Sequence, residues 1–206
     1  MTAMTAMTLS AMSEGRFILG HGSSGPQLVE GLHGQSFDNP LTRMKETIEI
    51  IQRAFAGDNL ESSGTQLRLP LPGGQAKALR LGQPPSQDIP IYLATLGPKA
   101  LEYTGQIAQG WIGTAFAPEG ASAFLDPIRT GAYSAHRETN QLDIHVGAAS
   151  VAFGENLDAL IQPLKMGKAF TLGAMGSKEA NFYNDAYSRS GWSVASSAVQ
   201  DLWLQG

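Results

Sequence analysis

Residues Arg16 to Gly31 read RFILGHGSSGPQLVEG, and the fold of the chain turns on how this stretch is parsed. Phe17, Ile18 and Leu19 form an unbroken apolar run, the pattern of a parallel strand covered on both faces. Gly20, Gly22 and Gly25 then strip side chains from its carboxyl end, leaving backbone N–H groups and the hydroxyls of Ser23 and Ser24 free to meet something flat or anionic before a helix begins. In α/β sheets and barrels that end of the strands is where ligands bind. The spacing is not that of a dinucleotide fingerprint, because the third glycine is misplaced and no acidic residue closes a second strand on schedule.

A second unit of similar construction runs from Ile89 to Ala108, IPIYLATLGPKALEYTGQIA. Its strand, Ile89 to Ala94, opens into Thr95-Leu96-Gly97-Pro98, with Pro98 in the first helical turn where its missing N–H costs nothing. The N–H groups of Leu96 and Gly97 then lie at a helix N-terminus, whose dipole adds about half a positive charge, and a phosphate fits such a place. A tight strand-to-helix turn with nothing bound satisfies the same pattern. Helix Ala100 to Gly110, strand Trp111 to Ala115, helix Phe124 to Arg137 and strand Leu142 to Phe153 continue the alternation. Strands alternating with helices imply parallel strands and right-handed crossovers, so a barrel and a doubly wound sheet both remain open.

Outside these units the expectations are local. Asn39, Pro40 and Gly57 bound a helix whose apolar stripe is Leu41, Met44, Ile48, Ile51 and Phe55, with Arg43, Lys45, Glu46, Glu49 and Arg53 read as a solvated face. Between residues 60 and 85, Thr65 to Leu69 and Lys77 to Leu81 flank Pro72-Gly73-Gly74, which suggests an inserted hairpin. Met1, Met4, Met7 and Ala11 recur at helical spacing and predict a packed face on an N-terminal helix. The stretch from Asn156 to Gly206 reads as mostly helical, with Phe182, Tyr183, Tyr187 and Trp192 as packing aromatics. His145 reads as structural, and no pair of histidines has metal-ligand spacing, so no metal site is expected.

Composition narrows the function classes. The 206 residues include 42% hydrophobic and 16% charged side chains, enough for one substantial core. A net charge of −4 without any Lys/Arg cluster argues against nucleic acid as a partner. The absence of cysteine fits a reducing cytoplasm, and residues 1 to 12 show neither a signal-peptide pattern nor a run long enough to span a membrane.

Four motifs in order resemble the luciferase-like monooxygenase family, nearest to its deazaflavin-dependent oxidoreductases: SEGRFILGHGSSGPQLVEGLHG, FDNPLTRMKETIEIIQRAFAG, IPIYLATLGPKALEYTGQIAQGWIG and GAMGSKEANFYNDAYSRSGW. The resemblance covers nearly the whole chain and implies a (β/α)8 barrel binding the deazaflavin coenzyme F-420 (F420), or alternatively FMN, at the carboxyl end of its strands. It implies that Gly22, Ser23 and Ser24 lie beside the ring system, that the phosphate rests on the backbone at Thr95, Leu96 and Gly97, and that Ala94 is also among the cofactor-binding residues. Gln109 stands where the family pattern has an acidic residue, and Leu32 where a tryptophan is usual.

The implied chemistry is hydride transfer between the reduced deazaflavin and a small organic substrate. An FMN-dependent monooxygenase of the same fold is the runner-up. The resemblance also implies an internal portion of the family barrel, one incomplete domain of about four strands lacking the N-terminal strands and the last, with the hairpin inserted near residues 60–85. The Met-rich start and the apolar Leu202, Trp203 and Leu204 agree with that expectation. A contrasting reading is a truncated, non-catalytic remnant whose open strand edges favour association with another copy. The general acid or base is unassigned, with Glu14, Glu30 and His21 lying near the first turn.

Overall fold

The computed structural model describes residues 1–86, 88–147, 152–178 and 180–206. In chain order the first half contains α1 (Thr2–Met12), β1 (Leu19–Gly22), α2 (Pro26–Gly31), α3 (Pro40–Ala56), β2 (Ser62–Ser63), β3 (Arg68–Leu69) and β4 (Ile91–Ala94). The second half contains α4 (Pro98–Ile107), β5 (Gly110–Gly113), α5 (Ser122–Ser134), β6 (Asp143–Val146), α6 (Leu157–Gly173), α7 (Phe182–Tyr187) and α8 (Ser193–Gln205). Two compact units divide the chain, one formed by Met1–Ser23 with Phe37–Leu93 and the other by Ser24–Ser36 with Ala94–Gly206.

The first unit buries Ala6, Met7, Leu19, Met44, Ile48, Ile51, Ala54, Phe55, Ile89, Ile91 and Leu93. Helix α3 follows its sequence signals at both ends: Pro40 occupies the first turn, and Gly57 takes the left-handed conformation with φ 78° that ends a helix cheaply only at glycine. Asn39 holds the N-cap position but adopts φ 51° and makes no side-chain capping bond. The expected Met stripe on α1 is only partly buried. Ala6, Met7 and Ser10 face inward, while Met1 and Met4 are exposed, because small and apolar residues all round the helix leave several faces able to pack.

Strand β1 begins at the last residue of the apolar run. Leu19 is buried, Ile18 is 46% exposed, and the pairing continues through Gly20, His21 and Gly22. The Leu19 N–H donates to the Pro90 carbonyl at 2.9 Å, ahead of β4, so the backbone of the glycine-rich segment serves as strand. The hairpin is also displaced from its expected place. It pairs Ser62 with Leu69 and Ser63 with Arg68 in antiparallel register, and Lys77 to Leu81 forms no strand.

Glu46, expected on the solvated face of α3, explains where that hairpin sits. Its carboxylate is buried and accepts the backbone N–H groups of Thr65 (2.7 Å), Gln66 (2.9 Å) and Leu67 (2.6 Å), together with the Thr65 hydroxyl (3.2 Å). Burial alone raises the pKa of such a group. The amides of Leu67, Thr65 and Gln66 and the Thr65 hydroxyl outweigh it and hold Glu46 below the usual carboxylate value.

In the second unit β5 and β6 pair in parallel, Gly110 with Asp143 through Gly113 with Val146. Within the expected strand from Leu142 to Phe153, Asp143–Val146 are strand among the described residues, and residues 148–151 lie outside the described residues. His145, read as a structural histidine, is exposed on β6. The core comprises Leu101, Trp111, Ala115, Phe124, Ile128, Leu142 and Ala186, with Tyr183 and Tyr187 packed against it. Trp192, grouped with those tyrosines in sequence, is 47% exposed.

Helices α4 and α5 approach at two glycines. A Cβ on Gly105 would strike the Ile128 carbonyl, and one on Gly131 the Glu102 carbonyl, so any larger residue would drive the backbones apart. Asn181 caps α7 by accepting from Tyr183 and Asn184. The Asn184 amide group in turn donates to the carbonyls of Leu172 and Ser196, tying α6, α7 and α8 together.

Candidate functional site

The turn from Ala94 to Gly97 lies within the second unit and is held from several sides. Gly97 is the N-cap of α4, in extended conformation, and Pro98 opens the helix as expected. Thr95 is buried, and its hydroxyl lies 2.7 Å from that of Thr104. Thr104 commits its own proton to the Ala100 carbonyl at 2.9 Å, so Thr95 is the donor of that pair and its hydroxyl turns inward. Ala94 is exposed at the end of β4.

Two side chains hold the carbonyls of this turn. The indole N–H of Trp111 donates to the Thr95 carbonyl at 2.9 Å. The Arg189 guanidinium donates through Nη2 to the Leu96 carbonyl at 2.6 Å and through Nη1 to the Ala123 carbonyl at 3.3 Å, with its Cζ 6.0 Å from the centre of the Phe124 ring. Burial lowers the Arg189 pKa and Asp185 opposes the shift, and the guanidinium stays a cation. Neither the Leu96 N–H nor the Gly97 N–H finds an acceptor among the described residues, and a Cβ on Gly97 would meet nothing within 4 Å. Both amides stand at the N-terminal end of a ten-residue helix, where the helix dipole is positive.

The first turn has different geometry. Gly22 ends β1 and is exposed, and Ser23 is half-buried; both belong to the first unit, whereas Ser24 belongs to the second. Ser24, and neither Gly22 nor Gly25, takes the left-handed conformation, with φ 59°, which is uncommon for a residue bearing a side chain. Helix α2 after it has six residues and buries none of them. Glu14 and Glu30 are exposed, and burial pushes the pKa of His21 on β1 below the usual histidine value.

Sequence reasoning missed the two clamps. Arg189 lies within the fourth family-like motif, in SRSGW, but no periodicity or spacing connects it to Leu96. Trp111 was legible as a strand residue, and the signal overlooked was its N–H, a donor that needs a partner once the ring is buried.

The parallel strands and the strand-to-helix turn make this an α/β chain of the luciferase-like barrel type. All of residues 1–206 match the family model described as luciferase-like monooxygenase, and the chain belongs to that family. It is 36% identical, over 211 aligned residues, to a Mycobacterium tuberculosis protein named as a coenzyme F420-dependent oxidoreductase, covering 99% of this chain and 61% of that one. Over 158 residues it is 33% identical to 5,10-methylenetetrahydromethanopterin reductase of Methanolobus tindarius, covering 77% of this chain and 45% of that relative. Among solved structures, the coenzyme F420-dependent tetrahydromethanopterin reductase of Methanopyrus kandleri superposes with a TM-score of 0.66 at 25% identity, over 86% of this chain and 53% of that one. The chain thus spans about half to three fifths of the lengths of these relatives. Among the described residues no helix is long and apolar enough to cross a membrane.

Proposed function

We propose that the chain binds coenzyme F420 and belongs to an oxidoreductase that moves hydride between the reduced deazaflavin and a small organic substrate. The observation that carries the reading is the amide pair of Leu96 and Gly97, whose N–H groups lack acceptors among the described residues while the carbonyls of Thr95 and Leu96 are held by Trp111 and Arg189. Such a donor set suits a phosphate, and the F420-dependent names of the relatives favour F420 over FMN. When bound, a deazaflavin supplies a two-electron hydride carrier; the chain's residues supply anion capture and orientation. Gly22, Ser23 and Ser24 are proposed for the ring system on the strength of the sequence motif.

Titration of the purified chain with F420, followed by the coenzyme's fluorescence, tests the reading, with FMN titrated in parallel. Saturable F420 binding, competed by inorganic phosphate, is the expected result. A chain that is folded by circular dichroism and shows no saturable binding would refute it, and tighter binding of FMN would transfer the reading to the flavin.

A further inference from the structure

The peptide bond explains how a side chain on the far side of a turn governs what the turn binds. In a planar trans peptide the carbonyl of one residue and the N–H of the next point in opposite directions. The one cis bond among the described residues is Leu69-Pro70, so the Thr95-Leu96 and Leu96-Gly97 peptides are trans. Fixing the Leu96 carbonyl therefore fixes the direction of the Gly97 N–H, as fixing the Thr95 carbonyl fixes that of the Leu96 N–H.

We propose that Arg189 is a positioning residue for phosphate capture, orienting the Gly97 amide toward the anion by holding the opposite end of the same peptide. The inference rests on the proposed function and deepens it. Three features support it. The bond to Leu96 is short for an N–H donor, at 2.6 Å, as expected of a charge-assisted contact. The guanidinium bridges two carbonyls, those of Leu96 and Ala123, which a single ammonium group reproduces less well. The guanidinium also lies within cation–π distance of the Phe124 ring, which is fully buried in the core and gives the side chain a fixed neighbour. Without the clamp, the 96–97 peptide is free to rotate its N–H away and present a carbonyl to the incoming phosphate.

The test compares the wild-type chain with R189M and R189K, using two probes: F420 and the deazaflavin nucleoside that carries the same ring but no phosphate. For R189M the expected outcome is at least tenfold weaker binding of F420, with the phosphate-free compound bound within twofold of wild type. Hydrogen exchange at the Gly97 amide gives a second readout, slowed by F420 in the wild type and not in R189M. R189K, which keeps the charge and loses the fork, is expected between the two. Equal loss for both probes would show a merely structural role, and wild-type affinity in either variant would show that the fork is not needed; each result overturns the proposal. Should R189M fail to fold, R189K with both probes decides alone. If the wild type binds no F420 at all, the proposed function falls and this inference with it; if it binds and the variants bind equally, only the inference falls.

Discussion

Replacing Glu46 by glutamine tests whether a buried carboxylate is what holds the hairpin of β2 and β3. The wild-type side chain accepts four hydrogen bonds, two at each oxygen: Thr65 N–H and hydroxyl at Oε1, Gln66 N–H and Leu67 N–H at Oε2. Glutamine keeps one acceptor oxygen and turns an NH2 group toward the other two donors. Each donor left facing another donor costs about 1–3 kcal/mol. Gln66 and Leu67 are half-buried, so water recovers part of the loss and the expected destabilisation is about 2–4 kcal/mol.

The effect has a defined pH dependence. The folded-state pKa of Glu46 lies below its unfolded value, so its stabilisation is fully present above the unfolded pKa of about 4.3 and is lost as pH falls through the folded pKa. The gap between wild type and E46Q therefore narrows as pH drops below about 4. All three tryptophans, at 111, 192 and 203, lie in the second unit, so urea unfolding is best followed by far-UV circular dichroism, with hydrogen exchange at Thr65, Gln66 and Leu67 as the local probe. A difference below about 0.5 kcal/mol, or one that stays constant from pH 7 to pH 3, would refute the reasoning, since neutral contacts alone have no such titration.

Gly131→Ala places a methyl group against the Glu102 carbonyl in the α4–α5 contact; destabilisation of about 3 kcal/mol is expected, read by urea unfolding with tryptophan fluorescence, and near-neutrality would mean the helices can separate without cost. Trp111→Phe keeps most of the ring but leaves the buried Thr95 carbonyl without its donor, for a loss of about 1–3 kcal/mol together with weaker F420 binding. Arg137→Met removes the donors to the Gly105 and Ala108 carbonyls at the end of α4, both at 2.6 Å, and should lower stability by about 1–2 kcal/mol, seen as a drop in Tm. Because burial lowers the folded-state pKa of His21, the imidazole should titrate by NMR below the usual value of about 6.5, and its neutral-state stabilisation is lost as pH falls through that range; a midpoint at or above 6.5 would contradict the burial.

Signals that act over a few residues were legible in the sequence. Pro40 and Gly57 mark α3 because a missing N–H and a left-handed φ are local requirements, and Gly97-Pro98 marks the start of α4 for the same reason. The apolar stripe Met44, Ile48, Ile51 and Phe55 is buried as periodicity implies. What periodicity does not show is a polar group whose partners lie far along the chain. Glu46 sits among charged neighbours and has every sequence mark of a solvated residue, yet the amides it serves are 19 to 21 positions away. The turn at Thr95 to Gly97 was recognisable from its own residues, while the side chains that hold it come from positions 111 and 189. In α1 the failure is of another kind: methionine and alanine at adjacent positions leave several faces equally able to pack, and which one does is settled by the neighbouring element.

The clamp on the Leu96 carbonyl reaches across 93 positions of sequence. During synthesis from the amino terminus, the ribosome releases the turn at Thr95 to Gly97 long before it releases the arginine that stiffens it. A nascent chain halted anywhere between the two carries the turn with a loose peptide, and that peptide is stiffened only after α7 and the arginine just beyond it have emerged.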